Sequence, residues 1–335
     1  MQTCDDIVFI GQFQPFHNGD QDVVRHALKV GDRLIVVIGS SDAPRSARAP
    51  WTADERETMI RAAAGPDAGR ILFRHVVDHP YDPAAWQAEV RRQVDDAIRS
   101  DGRDPATATI GLIATANSHA FPEWQTITAP ATATPSANEL RDQLFSRDMA
   151  GLQARLPPAV FATVTAFTAT DTFAALAEEY QHILAYKKAW AAAPYPPIFT
   201  TVDAVVVHSG HVLLVRRGGQ PGRGLWALPG GFVEQDETLL DAVVRELGEE
   251  TRISLPAPLL KAGLRGSHVF DAPDRSQRGR TITYAFHFAI GGTLPEIQAA
   301  DDAELARWTP LAELSDMRAQ LFEDHFYILE HFLGA

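Results

Sequence analysis

The sequence has very little cysteine and no long hydrophobic run. Its single cysteine, Cys4, excludes an internal disulfide framework and a zinc site built from several cysteines, and it is typical of a reducing compartment. No stretch approaches the roughly 20 apolar residues of a transmembrane helix, and the beginning MQTCDD lacks the basic and long apolar regions of a signal peptide. We therefore expect a cytoplasmic protein with no membrane partner.

Basic residues are scarce relative to acidic ones. Lysine and arginine together number 30 against 43 aspartates and glutamates, so the formal net charge is −13. This balance argues against non-specific binding to nucleic acids. A local basic cluster or a divalent cation could still bind a small polyanion. The length of 335 residues predicts two domains.

The first half of the chain alternates short apolar runs with helix-like stretches, which predicts an α/β domain with a parallel, doubly wound sheet. In such sheets, ligands bind beyond the carboxyl ends of the strands. The predicted strands are 7–10, 33–40, 71–77 and 108–115. The predicted helices are 21–30, 54–64 (after Thr52 as N-cap) and 82–100.

The second half has a different pattern. An Ala-rich, helix-like region at 151–192 ends at PYPPIF, because proline lacks an amide donor and restricts the residue before it. Beyond it, a period-two pattern around His208-Ser209-Gly210 predicts a hairpin, followed by a helix (238–251) and further strands (281–289). We expect a separate α+β unit, with domain bounds of 1–155, 156–196 (helical segment and linker) and 197–335.

The stretch GGFVEQDETLLDAVVRELGEETRI, residues 230–253, places acidic residues after a glycine turn. Glu246 and Glu250 lie four residues apart, so both carboxylates project from one helical face, with Glu249 beside them. Such carboxylates repel one another by roughly a few tenths of a kcal/mol per pair. A hard divalent cation would turn this repulsion into binding, and Mg²⁺ is usual beside phosphates. A solvated acidic helix face is the alternative interpretation.

The same stretch closely resembles the box of the Nudix hydrolases, G-x5-E-x7-R-E-U-x-E-E-x-G-U, where U is bulky and aliphatic. The matching positions are Gly231, Glu237, Arg245, Glu246, Leu247, Glu249, Glu250 and Ile253. Arg252 departs from the box, whose glycine lets the helix end in a left-handed conformation. The resemblance implies that Glu246 and Glu250 bind Mg²⁺ or Mn²⁺ with help from Glu249, and that metal-activated water attacks a diphosphate.

This resemblance covers about residues 197–335. Two segments, FDAPDRSQRGRTITYAF (270–286) and DDAELARWTPLAEL (301–314), are similar to those around the substrate site of ADP-ribose-type Nudix enzymes. The candidate phosphate contacts are Arg275, Arg278 and Arg280, with a solvated loop as the alternative. The general base stays open between Glu249 and the second loop. The candidates in that loop are Asp301, Asp302 and Glu304.

The stretch GQFQPFHNGD, residues 11–20, lies between a predicted strand and a predicted helix. Backbone amides at such a turn and helix N-terminus bind nucleotide phosphates. The stretch resembles the nucleotidyltransferase fingerprint G-x-F-x-P-x-H-x-G-H, with matches at Gly11, Phe13, Pro15, His17 and Gly19. The resemblance implies a Rossmann-like nucleotidyltransferase domain in which His17 stabilises phosphates during adenylyl transfer.

Two further stretches support this resemblance. PSANELR (135–141) is similar to the motif I-S-x-T-x-x-R, which binds ATP phosphates; Ser136 and Arg141 match, and Asn138 replaces the threonine. SARAPWTADERETMIRAA (46–63) looks like the corresponding segment of nicotinamide mononucleotide (NMN) adenylyltransferases fused to Nudix domains. Trp51 in this segment is predicted either to stack on a base or to lie in the core.

Three departures remove positive charge or donors from this first site. Gln12 stands where the subfamily has arginine, Asp20 replaces the second histidine, and 111–124 lacks a G-H-x-K-D-x-S-S-Y-Y stretch. A carboxylate ~4 Å from a phosphate charge costs about 1 kcal/mol in water and more in a dry cleft. We therefore expect an adenylyltransferase domain that is weak or inactive.

Over nearly its whole length the chain resembles bifunctional NMN adenylyltransferase–Nudix proteins. The implied reaction is Mg²⁺-dependent hydrolysis of ADP-ribose to AMP and ribose 5-phosphate, and the implied partners are ADP-ribose, ATP and NMN, with a homodimer as the candidate assembly. The alternative is a non-catalytic sensor that binds ADP-ribose or NAD in the Nudix fold. The acidic box favours turnover, because a binding protein needs no carboxylate cluster.

Overall fold

In the computed structural model, which describes residues 4–114, 120–129 and 136–334, the chain divides into two units, Met1–Ala177 and Glu178–Ala335. The first unit is built on a five-stranded sheet of order β3-β2-β1-β4-β5 in which every pairing is parallel. Its strands are β1 (Cys4–Gly11), β2 (Gly31–Ile38), β3 (Ile71–His75), β4 (Ile110–Ile113) and β5 (Gln125–Ile127). This confirms the predicted parallel α/β sheet. The fifth strand has only three residues and no apolar periodicity, so the sequence pattern did not predict it.

Helices cover the sheet of the first unit. Alternate residues of the central strands, among them Val8, Ile35 and Val37, form one core with α3, while their neighbours Ile7 and Leu34 are equally buried on the other face. A parallel sheet buried on both faces accounts for the near-continuous apolar strand sequences. The helices are α1 (Asn18–Val30), α2 (Ala53–Ala64), α3 (Pro83–Ser100), α4 (Ala137–Phe145), α5 (Met149–Arg155), α6 (Pro158–Phe167) and α7 (Asp171–Ala189).

The predicted helical region at 151–192 is divided into α5, α6 and α7. Pro158 begins α6, since proline is accepted in the first helical turn, and α6 and α7 meet at 84°. The point at which the two units divide lies within α7. No single helix in the described part of the chain is long and apolar enough to cross a membrane. The bent pair α6 and α7 is together long and apolar enough, by length and composition alone.

The second unit contains a mixed sheet of order β10-β11-β6-β7-β12, with β8 paired to β7 and β9 to β6. The predicted hairpin is confirmed, because β6 and β7 pair across Ser209-Gly210. The strands are β6 (Ile198–His208), β7 (His211–Arg217), β8 (Trp226–Ala227), β9 (Gly230–Phe232), β10 (Leu264–Phe270), β11 (Arg280–Ala289) and β12 (Ala303–Pro310). The helices are α8 (Leu239–Thr251), α9 (Ala257–Ala262) and α10 (His325–Leu333).

Helix α8 packs one face on the sheet of the second unit. Val243 and Leu247 are fully buried in a core shared with Val202 and Phe288. Thr238 caps the helix by accepting the Asp241 N–H. Glu250 lies beside this core face and is itself buried, whereas Glu249 projects away from it and its side chain is 49% exposed.

Arg252 ends α8 in the left-handed conformation (φ 42°, ψ 37°) for which the Nudix box has glycine. A side chain in this conformation is strained, whereas glycine adopts it without a steric cost. We expect Arg252→Gly to raise the free energy of unfolding by about 0.5–1 kcal/mol, measured by urea denaturation of the full chain. Arg252→Ala keeps a Cβ and should bring no such gain. Equal stabilisation by both changes would contradict a backbone cause.

Candidate functional site

The first candidate site is the turn that follows β1, at the carboxyl edge of the parallel sheet. Phe13 has a left-handed backbone (φ 51°), and its ring folds back to within 2.7 Å of where a Cβ on Gly11 would lie. Glycine is therefore required at this position. Phe13 is buried against Phe9, and Gly19 is buried in the first turn of α1. These matched residues shape the turn.

His17 and Asp20 form a reciprocal cap at the N-terminus of α1. The Asp20 N–H donates to His17 Nδ1 (3.1 Å), and the His17 N–H donates to Asp20 Oδ2 (3.0 Å). Burial lowers the pKa of His17, which favours the neutral ring. Because Nδ1 accepts a hydrogen bond, the neutral ring carries its proton on Nε2. Nε2–H is thus the donor that His17 can present to a phosphate.

The Asp20 carboxyl group is neither fully exposed nor fully ionised near neutral pH. It is turned to the His17 backbone, its side chain is 16% exposed, and burial raises its pKa to about 7. A carboxyl group that is partly protonated near neutral pH repels phosphate less than the ionised group considered from the sequence. The replacement of the second histidine therefore matters mainly as the loss of a donor.

Asp20→Asn is expected to stabilise the chain at high pH. The folded-state pKa of about 7 exceeds the ordinary value, so the native state binds more protons between about pH 4 and 7. The contribution of protonated Asp20 is thus present below pH 4 and lost as the pH rises through 7. Asparagine stays neutral and keeps an acceptor for the His17 N–H. We expect a gain of about 1–3 kcal/mol at pH 8 and almost none at pH 4, measured by urea denaturation; a pH-independent gain would contradict this reasoning.

The second motif lies against the first. Ser136 caps α4, and Arg141 donates to the backbone oxygen of Gln14 (3.0 Å) and to Asn138 Oδ1. Burial, and then the charge of Arg48, lower the pKa of Arg141 to about 10. The structure therefore brings Arg141 to the 11–20 turn. Asn138, in the place of the threonine, holds the guanidinium.

Arg56 is a part of this site that the sequence did not single out. Its buried guanidinium donates to the backbone oxygens of Gln12 (2.7 Å), Gly39 (2.7 Å) and Ser40 (3.0 Å). It joins the turns that follow β1 and β2, and burial lowers its pKa to about 10. An arginine in the 46–63 segment was the available signal. The Gln12 side chain donates to Ser40 Oγ (3.0 Å), and residues 115–119 of the 111–124 departure lie outside the described residues.

Trp51 is a core residue rather than a stacking surface. It is 2% exposed, and its ring centroid lies 5.4 Å from that of Phe167. Its backbone exchanges two hydrogen bonds with the side chain of Gln14, at 2.8 and 3.2 Å. A base cannot reach a ring that is enclosed in this way. The base-stacking interpretation is therefore corrected in favour of the core alternative.

Arg245 is the centre of the second candidate site. It donates to both oxygens of Glu237 (2.6 and 3.0 Å), to Glu246 Oε1 (2.9 Å) and to Glu249 Oε2 (2.8 Å). These hydrogen bonds raise its pKa above its ordinary value. It also donates to the Phe232 backbone oxygen (3.1 Å). Arg245 thus joins the glycine turn, the Glu237 loop and α8.

Glu246 and Glu250 lie against the glycine turn. Glu250 is 4% exposed and its Oε2 accepts the Gly230 N–H (3.0 Å). A Cβ at Gly231 would lie 2.5 Å from Glu246 Oε1, so the box glycine makes room for this carboxylate. Burial, followed by the charges of Asp302 and Glu246, raises the pKa of Glu250 to about 9. Burial also raises the pKa of Glu246.

This carboxylate group suits a hard divalent cation in donor type and charge. Its donors are oxygens, and the raised pKa values of Glu246 and Glu250 show that nearby positive charge does not balance their burial. Among residues 4–114, 120–129 and 136–334, no group of three aspartate, glutamate, histidine or cysteine side chains is arranged so that it could hold a metal ion without rearrangement. Arg245 holds Glu246 and Glu249. Glu246 and Glu250, which lie at the glycine turn, are the residues that would hold the cation, and Glu249 is held by Arg245.

The three base candidates in the 301–304 loop have different surroundings. The negative charge of Asp302 contributes to the raised pKa of Glu250, and the Asp302 backbone oxygen accepts the Gly218 N–H (2.8 Å). Asp301 has a left-handed backbone (φ 52°). Glu304 is half-exposed and lies 4.0 Å from the Arg216 guanidinium. Asp302 is thus the candidate whose charge acts on the acidic group of α8.

The three arginines of 270–286 also differ. Arg275 is buried and makes a two-pronged ion pair with Asp324, at 2.7 and 2.9 Å. Its prediction as a phosphate contact is corrected, because its guanidinium is enclosed and occupied. Arg278 lies over the Phe232 ring (5.1 Å), and Arg280 donates to backbone oxygens of its own loop. For these two the phosphate contact stays a prediction.

Family comparisons match both halves of the chain. The NUDIX domain family model matches residues 198–332, and the cytidylyltransferase-like family model matches residues 8–99. An ADP-ribose pyrophosphatase of Methanocaldococcus jannaschii is 38% identical over 133 residues, which are 39% of this chain and 71% of that protein. A nicotinamide/nicotinic acid mononucleotide adenylyltransferase of Acinetobacter baylyi is 26% identical over 186 residues, covering 54% of this chain and 96% of that protein.

A solved structure matches the chain from end to end. It is a bifunctional NMN adenylyltransferase/ADP ribose pyrophosphatase of Francisella tularensis, in complex with AMP and a manganese ion. It is 33% identical, covers 99% of each chain and superposes with a TM-score of 0.93. This similarity includes both units and agrees with the two family matches. The chain therefore belongs to the family of bifunctional NMN adenylyltransferase/ADP-ribose pyrophosphatases.

Proposed function

We propose that the second unit hydrolyses the diphosphate of ADP-ribose to AMP and ribose 5-phosphate, and that it requires Mg²⁺ or Mn²⁺. The observation that supports the proposal is the position of Glu246 and Glu250 against the Gly230-Gly231 turn, with the charge of Asp302 acting on Glu250. The pyrophosphatase relatives support the substrate. A sensor without turnover has no specific observation in its favour.

Each residue of the proposed mechanism acts from its observed position. A bound divalent cation would neutralise diphosphate charge and lower the pKa of the attacking water. Glu246 and Glu250 would hold that cation, and the Gly230 N–H orients Glu250. Asp302 would take the proton of the water, and the influence of its charge on Glu250 supports this role. Arg278 would bind a substrate phosphate from beside Phe232.

AMP release from ADP-ribose tests this function directly. The full chain is assayed with Mg²⁺, with Mn²⁺ and with a chelator, and we expect activity only when a cation is present. Binding of ADP-ribose without AMP release under all three conditions would favour the sensor. NADH and diadenosine polyphosphates serve as competing substrates, and faster hydrolysis of either would replace ADP-ribose.

We propose a second, weaker activity for the first unit, the synthesis of NAD from NMN and ATP. Supporting observations are the His17 Nε2–H at the turn and the approach of Arg141 to Gln14. The donor lost at Asp20 accounts for a low rate, because one lost transition-state donor typically costs roughly 10²–10³-fold. NAD formation by the full chain, with His17→Ala as the inactive control, tests this. A rate usual for an enzyme would show that the activity is not weak. If the chain neither forms NAD nor binds NMN or ATP, the proposed nucleotide site in the first unit is wrong.

We also propose the domain bounds 1–155, 156–196 and 197–335 and a cytoplasmic location. The free, buried Cys4 is consistent with a reducing compartment. Limited proteolysis tests the bounds, because cleavage is expected first in the exposed stretch around Tyr195. Early cleavage inside α8 would contradict them.

A further inference from the structure

A short segment between β8 and β9 connects the core of the second unit to the acidic helix. Three successive backbone groups are engaged: the Leu228 N–H donates to His325 Nδ1 (2.9 Å), Pro229 O accepts from the Ala204 N–H (2.8 Å), and the Gly230 N–H donates to Glu250 Oε2 (3.0 Å). Leu228 is 1% exposed, so water does not replace its partner. The position of the Gly230 N–H therefore depends on how Leu228 and Pro229 are held.

His325 supplies the side-chain acceptor at the Leu228 end of this segment. It is the first residue of α10 and is buried, and its Nδ1 accepts from Leu228. An accepting Nδ1 requires the proton of the neutral ring on Nε2. Nε2 faces Asp203 Oδ1 at 3.7 Å, and Asp203 Oδ2 in turn accepts from the Thr283 hydroxyl. The carboxylate thus favours the tautomer that Leu228 needs.

The start of α10 is fixed independently. Asp324, directly before His325, forms the buried ion pair with Arg275. The Phe322 N–H donates to the Trp226 backbone oxygen (2.8 Å) at the beginning of the same segment. The chain is therefore anchored directly before His325. The role of His325 does not depend on substrate contact, because the ring is enclosed.

We propose that His325 is a positioning residue, which holds the Leu228–Gly230 segment through Nδ1 and so places the Glu250 carboxylate for cation binding. The inference rests on the proposed role of Glu250 as a cation ligand. Residues that orient a ligand typically change metal affinity or activity by roughly 10–100-fold when they are replaced. A purely structural histidine would change stability without this effect.

The test compares three variants of the full chain by Mn²⁺ binding, followed by electron paramagnetic resonance, and by ADP-ribose hydrolysis. His325→Leu removes the acceptor, and we expect Mn²⁺ binding to weaken roughly 10–100-fold. His325→Asn places an amide oxygen near the position of Nδ1 and should restore binding to within about threefold of the wild type. Ile328→Ala, a buried change on the same helix, should lower thermal stability and leave Mn²⁺ binding unchanged.

A fourth variant covers the case in which His325→Leu does not fold. Asp203→Asn keeps the shape of the side chain, but its amide can donate to Nε2 and move the ring proton to Nδ1, which then cannot accept from Leu228. It should weaken Mn²⁺ binding like His325→Leu. Wild-type Mn²⁺ binding in folded His325→Leu or Asp203→Asn, or an equal loss in Ile328→Ala, overturns the proposal. If the wild-type chain binds Mn²⁺ and releases no AMP, the proposed hydrolysis fails, while the binding comparison still decides the role of His325.

Discussion

Glu250→Gln is expected to lower kcat for ADP-ribose hydrolysis by roughly 10³-fold. Glutamine keeps the volume of the buried side chain and an oxygen for the Gly230 N–H, but it cannot provide the negative charge that a divalent cation requires. The cation concentration for half-maximal activity should rise in parallel. Steady-state AMP release at several Mg²⁺ and Mn²⁺ concentrations measures both quantities.

The stability of this variant shows whether a loss of activity comes from the missing charge or from unfolding. Burial raises the pKa of Glu250 to about 9, so the native site without a cation favours a neutral side chain at this position. Glu250→Gln should therefore unfold at no lower temperature than the wild type in the absence of metal. Glu304→Gln, a change at a half-exposed carboxylate beside Arg216, is the control, and its activity should stay within about threefold of the wild type. Glu250→Gln activity within tenfold of the wild type would mean that the cation is held elsewhere.

The second large effect is expected at the Arg275–Asp324 pair. Both side chains are buried and joined by two hydrogen bonds of 2.7 and 2.9 Å. Asp324→Ala leaves the Arg275 charge buried without its partner, which typically costs about 3–5 kcal/mol. Arginine stays protonated near neutral pH even when it is buried, so deprotonation of Arg275 does not relieve this cost in the variant. Urea denaturation of the full chain, followed by tryptophan fluorescence, measures the loss.

A double variant tests the electrostatic cause of this loss. Arg275→Met combined with Asp324→Leu removes both charges, and we expect it to recover most of the stability lost in Asp324→Ala. Arg280→Met is the control, since Arg280 is partly exposed and should change stability by less than about 1 kcal/mol. A double variant no more stable than Asp324→Ala would assign the loss to packing. Reduced ADP-ribose affinity in Arg280→Met, with stability unchanged, would support its phosphate contact.

Arg275 and its neighbours show how much of this site could be predicted from the sequence alone. Arg275, Arg278 and Arg280 lie in one loop and look equivalent as candidate phosphate contacts. Only the position of Asp324, 49 residues later, distinguishes Arg275 as a buried ion pair. The same holds for Trp51, which packs against Phe167, and for Asp302, whose charge acts on Glu250. A contact between distant parts of the chain leaves no local pattern.

At Asp20 the structure differs from the expectation drawn from the sequence for another reason. Its position after His17-Asn-Gly predicts a charge at a phosphate site. The capping box with His17 turns the carboxylate to the backbone, and burial brings its pKa to about 7. Capping depends on local spacing and could be recognised from the sequence. The degree of burial, which sets the charge, could not.

By itself, the sequence determined the parallel sheet of the first unit, the β6–β7 hairpin, the helix α8 and the acidic box, because strand and helix periods and glycine turns are local properties. It also determined the family, through motifs whose residues keep a fixed spacing. The tertiary structure alone decided which charges are enclosed: Arg56, Arg275 and Glu250 are buried, and Arg278 lies over Phe232. It also placed His325 on the segment that positions Glu250. Desolvation and long-range hydrogen bonds set these roles, and both depend on which distant residues meet in the folded chain.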